Sequence, residues 1–171
     1  MYGKVAGLLM LVFGFSGAGF TIASNYYSRA RELAEARTTL ALLETEICCS
    51  LRPLGPALLN AAAGCRGPAG TLFRRTASEL AEGVPAAVAW RRGVEQAMNE
   101  SALTRSDADV LASLGLTLGV STAEDQRRHL RSAIERLSIQ ESEARDRQSR
   151  EGKLWRYAGV FGGLALAALL F

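Results

Sequence analysis

The residues with the most reactive side chains in this chain are three cysteines and one histidine: Cys48, Cys49, Cys65 and His129. Together they have the composition of a tetrahedral zinc site. Their spacing argues against one, because adjacent side chains on a helix diverge and a structural zinc site is built from spaced pairs. An odd number of cysteines without regular spacing is no disulfide framework either. Reduced thiols are the expected state, which hints at a cytoplasmic location. Glu141 and Glu143 could be read as paired carboxylates for acid–base or metal chemistry. Arginines stand beside both, and the pattern reads as a solvated helix face. The Gly-rich stretch Gly64–Gly70 has no Lys-Ser/Thr after it, so it is no phosphate loop. No nucleophile elbow, dinucleotide fingerprint or metalloprotease helix is present. The expectation is a protein that is not an enzyme and binds no metal or cofactor.

Without a reacting centre, the elements themselves carry the reading. Of 171 residues, 49% are hydrophobic but only 7% aromatic, and Ala and Leu dominate. Such a chain is expected to be all-α. The net charge of +3 is mild and suits an anionic membrane surface, whereas no basic run is pure enough for nucleic acid.

Val5–Ala23 carries no charge over 19 residues, about the length of a membrane-spanning helix. Its glycines at 7, 14, 17 and 19 suit close packing between membrane helices, and Tyr26 and Tyr27 suit an interface. A signal peptide is the competing reading, from Lys4 and the small residues Ser16 and Ala18. At the other end, Tyr157–Phe171 is apolar and short, with Trp155 and Arg156 at its boundary. Arg29, Arg31, Arg37, Arg145, Arg147, Arg150 and Lys153 flank both segments on the inner side, which puts the central domain in the cytoplasm. The expected organisation is a transmembrane helix in 1–27, a soluble helical bundle in 28–153 and a C-terminal transmembrane segment in 154–171.

Within the bundle, the first helix is expected from Ser28 to Leu51. Leu33, Ala36, Leu40, Leu43 and Ile47 form its apolar stripe, and Arg31, Glu35 and Thr38 its outer face. Pro53 ends it. Three short helices follow, opened by Pro56, Pro68 and Pro85 and punctuated by Gly64 and Gly83, with Trp90 as an anchor. Ser106 is the expected cap of the next helix, with Asp107 and Asp109 at its positive end. That helix closes at Gly119, and Gly115 within it demands either a close neighbour or an irregular end. Ser121 and Glu124 read as the capping box of a last helix, so the two helices must form an antiparallel hairpin. The last helix pairs Glu124–Arg128, Glu141–Arg145, Glu143–Arg147 and Asp146–Arg150 at i,i+4, and its apolar face thins out beyond Leu137 into a solvated stalk.

The order and spacing of these features resemble one family. The matching pieces are Leu40-x-x-Leu43-Glu44-x-Glu46-Ile47, Arg52-Pro53-Leu54, Leu72-Phe73, Ala89-Trp90 and Leu103-Thr104-x-Ser106-Asp107. They continue with Leu114-Gly115-x-Thr117-Leu118-Gly119, His129-Leu130-x-x-Ala133-Ile134-x-x-Leu137, and Glu143-Ala144-Arg145 before the apolar tail. The chain is similar to stage III sporulation protein AB of endospore-forming bacteria. That family in turn resembles the cytoplasmic domain of the inner-membrane platform of type II secretion and type IV pilus machines. The resemblance implies a bundle of about six helices. It also implies a scaffold role in the channel joining mother cell and forespore, in the mother-cell membrane around the forespore. The implied partners are other channel subunits, including a secretion-type ATPase, with a homo-oligomer as an option. The family often has Glu in a Gly-Glu-x-x-Gly corner; here Leu116 stands there, between Gly115 and Gly119. Glu44 and Glu46 match an acidic pair that would face a partner. The alternative reading is a membrane-anchored adapter whose helical domain captures a soluble regulatory protein.

Overall fold

The computed structural model of the chain describes residues 28–119 and 121–170, with side chains through residue 150. The N-terminal apolar segment of 1–27 lies outside the described residues, as do the side chains of the C-terminal segment. Six helices and no strand occur among the described residues. They are α1 (28–48), α2 (Leu54–Ala61), α3 (Pro68–Ala81), α4 (Ala86–Asn99), α5 (Arg105–Leu114) and α6 (Ala123–Leu170). The all-α bundle expected from composition is therefore observed. The chain divides into two units: Ser28–Glu143, and a second that includes the chain from Ala144 onward. Helix α6 is continuous for 48 residues. No helix among the described residues is long and apolar enough to cross a membrane.

Helix α1 buries the stripe that its periodicity dictates: Leu33, Leu40 and Leu43 are fully buried, with Ala36 and Ile47 nearly so. It ends at residue 48, three residues short of Leu51. Cys49 and Ser50 turn back on Thr45 O at 3.0 and 3.2 Å, and Leu51 takes a left-handed φ of 51°. Pro53 does not stop α1 but caps α2. Pro68 sits in the first turn of α3 and Pro85 caps α4, as their positions anticipate.

The middle helices pack on their sequence neighbours, α2 on α3, α3 on α4 and α4 on α5. A Cβ on Gly93 would lie 2.7 Å from Leu72 Cδ1 and 2.9 Å from Thr76 Oγ1, so the bare glycine is what lets α4 lie so close to α3. The long-range pairing is between α1 and α6. Arg37–Glu141, Glu44–Arg131 and Cys48–Ala123 O run in opposite senses along the two helices, which makes them antiparallel. The chain thus enters the bundle at Ser28 and leaves it at Glu143 on the same end.

Two helix starts are shifted from the sequence expectation. The cap of α5 is Thr104, not Ser106: Asp107 accepts from Thr104 N at 2.7 Å in a capping box. The cap of α6 is Thr122, not Ser121: its hydroxyl accepts from Asp125 N at 3.2 Å and donates to Asp125 Oδ2 at 2.8 Å. Ser121 instead donates to Thr117 O at 2.8 Å. Helix α5 also ends earlier than expected, at Leu114, and residues 115–119 form an irregular turn.

Candidate interaction surface

Helix α1 has almost no idle polar face. At Asp107, whose side chain is fully buried, both carboxylate oxygens accept from the Arg29 guanidinium at 2.9 Å, a two-pronged pair that joins α1 to α5. Burial acts to raise the Asp107 pKa. The Arg29 and Thr104 hydrogen bonds outweigh it and hold the carboxyl below the usual range. One turn on, Glu32 accepts from Ala102 N at 2.8 Å, and burial leaves its carboxyl raised. Glu35 was expected on the outer face. Instead its Oε1 accepts from Cys65 Sγ at 3.0 Å, Arg66 N at 3.1 Å and Gly67 N at 2.9 Å, which fastens the α2–α3 loop to α1. Desolvation opposes ionisation of Glu35, but these three donors lower its pKa overall. Arg37 meets Glu141 at 3.1 Å, and Glu141 is only 7% exposed rather than solvated.

The expected acidic pair continues the series. Glu44 accepts from Arg131 Nε at 2.8 Å, with Arg127 at 3.8 Å, both from α6. Glu46 meets Arg52 at 2.9 Å and accepts from Asn60 Nδ2 at 3.3 Å. Both carboxylates are therefore engaged within the bundle. On α6, the ion pairs formed by Glu124 and Asp125 are with Arg127 and Arg128, at i,i+3 in place of the i,i+4 pairing expected for Glu124.

The thiols are not assembled. Cys65 is buried against Glu35, Cys48 donates to Ala123 O at 3.6 Å, Cys49 is exposed, and His129 is exposed on α6. Among the described residues, no three His, Cys, Asp or Glu side chains are grouped to hold a metal ion. Burial pushes the Cys48 and Cys65 thiols up, with Glu35 adding to the rise at Cys65, so both stay protonated and weakly nucleophilic at neutral pH.

Gly115, Leu116 and Gly119 come together at the α5–α6 corner. The corner exists because the carbonyls at the end of α5 find other partners. Leu111 O accepts from the buried Trp90 indole at 2.7 Å, Ala112 O from Gly115 N at 3.0 Å, and Leu114 O from Thr117 N and Leu118 N, both at 3.1 Å. Gly115 is needed because a Cβ there would lie 2.9 Å from Trp90 Cδ1. Gly119 is needed because its φ is +80°, and a Cβ would also press Leu54 Cδ2 at 3.2 Å. Between them Leu116 points outward, 79% exposed, while Leu118 is buried. Sequence reasoning missed Leu51, 76% exposed, because its left-handed turn has no Gly or Asn to announce it. Leu51 follows Cys48, which touches Ala123, and precedes Leu54, whose side chain lies beside the space a Cβ on Gly119 would fill. The two most exposed large apolar side chains among the described residues thus share one end of the bundle, opposite Ser28 and Glu143.

Comparison with known proteins places this architecture. A family model described as stage III sporulation protein AB matches residues 4–171. Stage III sporulation protein AB of Bacillus subtilis (strain 168) is 30% identical over 168 residues, covering 98% of each chain. A solved structure of stage III sporulation protein AB (SpoIIIAB) is 28% identical and superposes with a TM-score of 0.67, covering 72% of this chain and 98% of that one. With the family model matching nearly the whole length and a relative 30% identical across 98% of each chain, the chain belongs to the stage III sporulation protein AB family.

Proposed function

We propose that this protein is a non-catalytic scaffold subunit of the sporulation channel between mother cell and forespore. It is held in the mother-cell membrane around the forespore, and its bundle lies in the cytoplasm. There it meets neighbouring channel subunits and a secretion-type ATPase. The observation that carries this reading is the shared end of the bundle at which the chain enters and leaves, with Arg37–Glu141 and Glu44–Arg131 tying α1 to α6. Each chain end continues in sequence toward an uncharged run, Val5–Ala23 and Tyr157–Phe171. Two such runs act as bilayer anchors for the bundle between them in sequence.

The test is topology in intact sporulating cells. With the three native cysteines replaced, single cysteines are introduced as Ser28→Cys and Ser121→Cys and challenged with a membrane-impermeant thiol reagent. Protection that is lost on permeabilisation is the expected result. Labelling of intact cells would put the bundle outside and end the proposal.

A further inference from the structure

Cys48 and Cys49 are adjacent thiols at a break in the fold. Inside a helix they would point apart. Here α1 ends at residue 48, and Cys49 already lies in the turn that follows. Cys49 N and Ser50 N share one acceptor, Thr45 O, at 3.0 and 3.2 Å, and Leu51 holds a left-handed φ of 51°. A leucine in that conformation is strained. Residues 49–53 are all exposed, so this turn can be rebuilt without disturbing the core. The two thiols differ in access. Cys49 meets solvent, whereas Cys48 is half-buried and donates to Ala123 O, at the start of α6, at 3.6 Å. The Arg127 guanidinium of α6 interacts with both. The third thiol is out of reach. Cys65 packs on Glu35, thirteen residues before Cys48 and so about 20 Å away along α1. A disulfide needs Cα atoms within about 7 Å.

We propose that Cys48 and Cys49 are a redox-sensitive pair, oxidised by a low-molecular-weight disulfide to an intrachain bridge that unfastens the end of α1 from the start of α6. The chemistry is thiol–disulfide exchange. Cys49 gives its proton to water, and its Sγ attacks one sulfur of the small disulfide, expelling one small thiolate. Cys48 loses its proton likewise, and its Sγ attacks Cys49 Sγ in the mixed disulfide, expelling the second. The two protein thiols are oxidised, and the small disulfide is reduced to two thiols. Burial holds Cys48 protonated, while Arg127 beside it favours the thiolate that the second exchange needs. Consecutive Cα atoms are about 3.8 Å apart, closer than the usual disulfide span, so the bridge closes only as the turn is rebuilt. Rebuilding takes Cys48 Sγ from Ala123 O and disturbs both hydrogen bonds to Thr45 O. A strained, exposed bridge is readily reduced, which makes the change reversible. None of this chemistry depends on where the chain lies or on what it binds.

The experiment treats the full reduced chain, in detergent micelles, with a chromogenic aromatic disulfide and follows absorbance and intact mass. The fast phase should release two small thiolates per chain and leave a protein lighter by two hydrogens, with no reagent attached; Cys65 reacts later. Cys48→Ala should release one small thiolate and keep the reagent on Cys49. In the bridged chain, amide hydrogen exchange is read at Cys49, Ser50 and Arg52, which are hydrogen-bonded in the reduced turn, and over the first turn of α6. It should rise about tenfold and return to its starting value with dithiothreitol. A fast phase that ends with reagent still attached to the unmodified chain overturns the pairing, as does a bridge to Cys65, a bridge between two chains, or the absence of any fast phase. A bridge that forms with exchange unchanged shows that nothing is unfastened, and overturns the switch.

Discussion

Replacing Asp107 with alanine takes a fully buried acceptor from four hydrogen bonds. The Arg29 guanidinium left behind is only 13% exposed, so water replaces little of what it loses. Removing one member of a buried ion pair costs about 3–5 kcal/mol. The low end applies here, because the guanidinium keeps some solvent and a distant Thr104 hydroxyl at 3.5 Å. Loss of the capping acceptor for Thr104 N adds about 1 kcal/mol. The expected total is about 4 kcal/mol for Asp107→Ala. Asp107→Asn keeps one acceptor for the cap and should cost about half as much. Arg29→Met/Asp107→Leu, which removes both charges, should lie much nearer the unmodified protein. The assay is urea unfolding of the fragment 28–150 followed by circular dichroism. That fragment takes in the whole of the compact unit Ser28–Glu143. The pH dependence provides a second reading. The folded carboxyl titrates below its unfolded value of about 3.9, so its contribution is complete above that value. It disappears as pH falls through the depressed folded pKa. The gap between the unmodified fragment and Asp107→Asn should close on the acid side of about pH 4. A cost below about 1 kcal/mol for the alanine variant, or a gap that persists into acid, refutes the reasoning.

Other perturbations address separate contacts. Glu35→Ala strips three donors in the α2–α3 loop of their acceptor and should cost about 1–3 kcal/mol in the same unfolding assay, with the difference shrinking in acid because the Glu35 carboxyl is held low. Among the thiols, exposed Cys49 should react with a chromogenic disulfide reagent well before buried Cys65, and Glu35→Ala should shorten the lag at Cys65. Gly119→Val forces a branched side chain onto a φ of +80° beside Leu54 and should lower the melting temperature through a loss of at least about 1–2 kcal/mol; an unchanged midpoint would contradict the corner geometry. Trp90→Phe leaves the Leu111 carbonyl at the end of α5 without its indole donor and should cost about 1–3 kcal/mol, read as a shift in the urea midpoint.

Local signals in the sequence specify local features well. Pro68 and Pro85 mark the starts of α3 and α4, and the heptad-spaced leucines of α1 are all buried. What needed the structure is whatever depends on a distant partner. Glu35 and Glu141 look like surface acids in their own helices, yet their partners lie 30 or more residues away, in the Cys65 loop and on Arg37. Caps slipped by one or two positions because Thr104, Ser106, Ser121 and Thr122 are chemically close alternatives, each with an acid three residues on, and only the structure shows that Asp107 and Asp125 answer Thr104 and Thr122. The corner was partly legible, since Gly115 and Gly119 announced an irregular turn. The indole that makes the early end of α5 tolerable lies 21 residues upstream, beyond the reach of any local pattern.

The antiparallel seam between α1 and α6 also sets a timetable. The ribosome delivers the first helix early and its partner last: Glu44 and Arg131 are 87 residues apart. At synthesis rates of about 5–20 residues per second, α1 waits roughly 4–17 seconds for the helix that completes its cover. Helices α2 to α5 can pair with their neighbours as they emerge, while the leucine stripe of α1 lacks its last partner throughout that interval. The bundle is therefore closed by its final helix, and the nascent chain spends those seconds with its most apolar face in need of a temporary host.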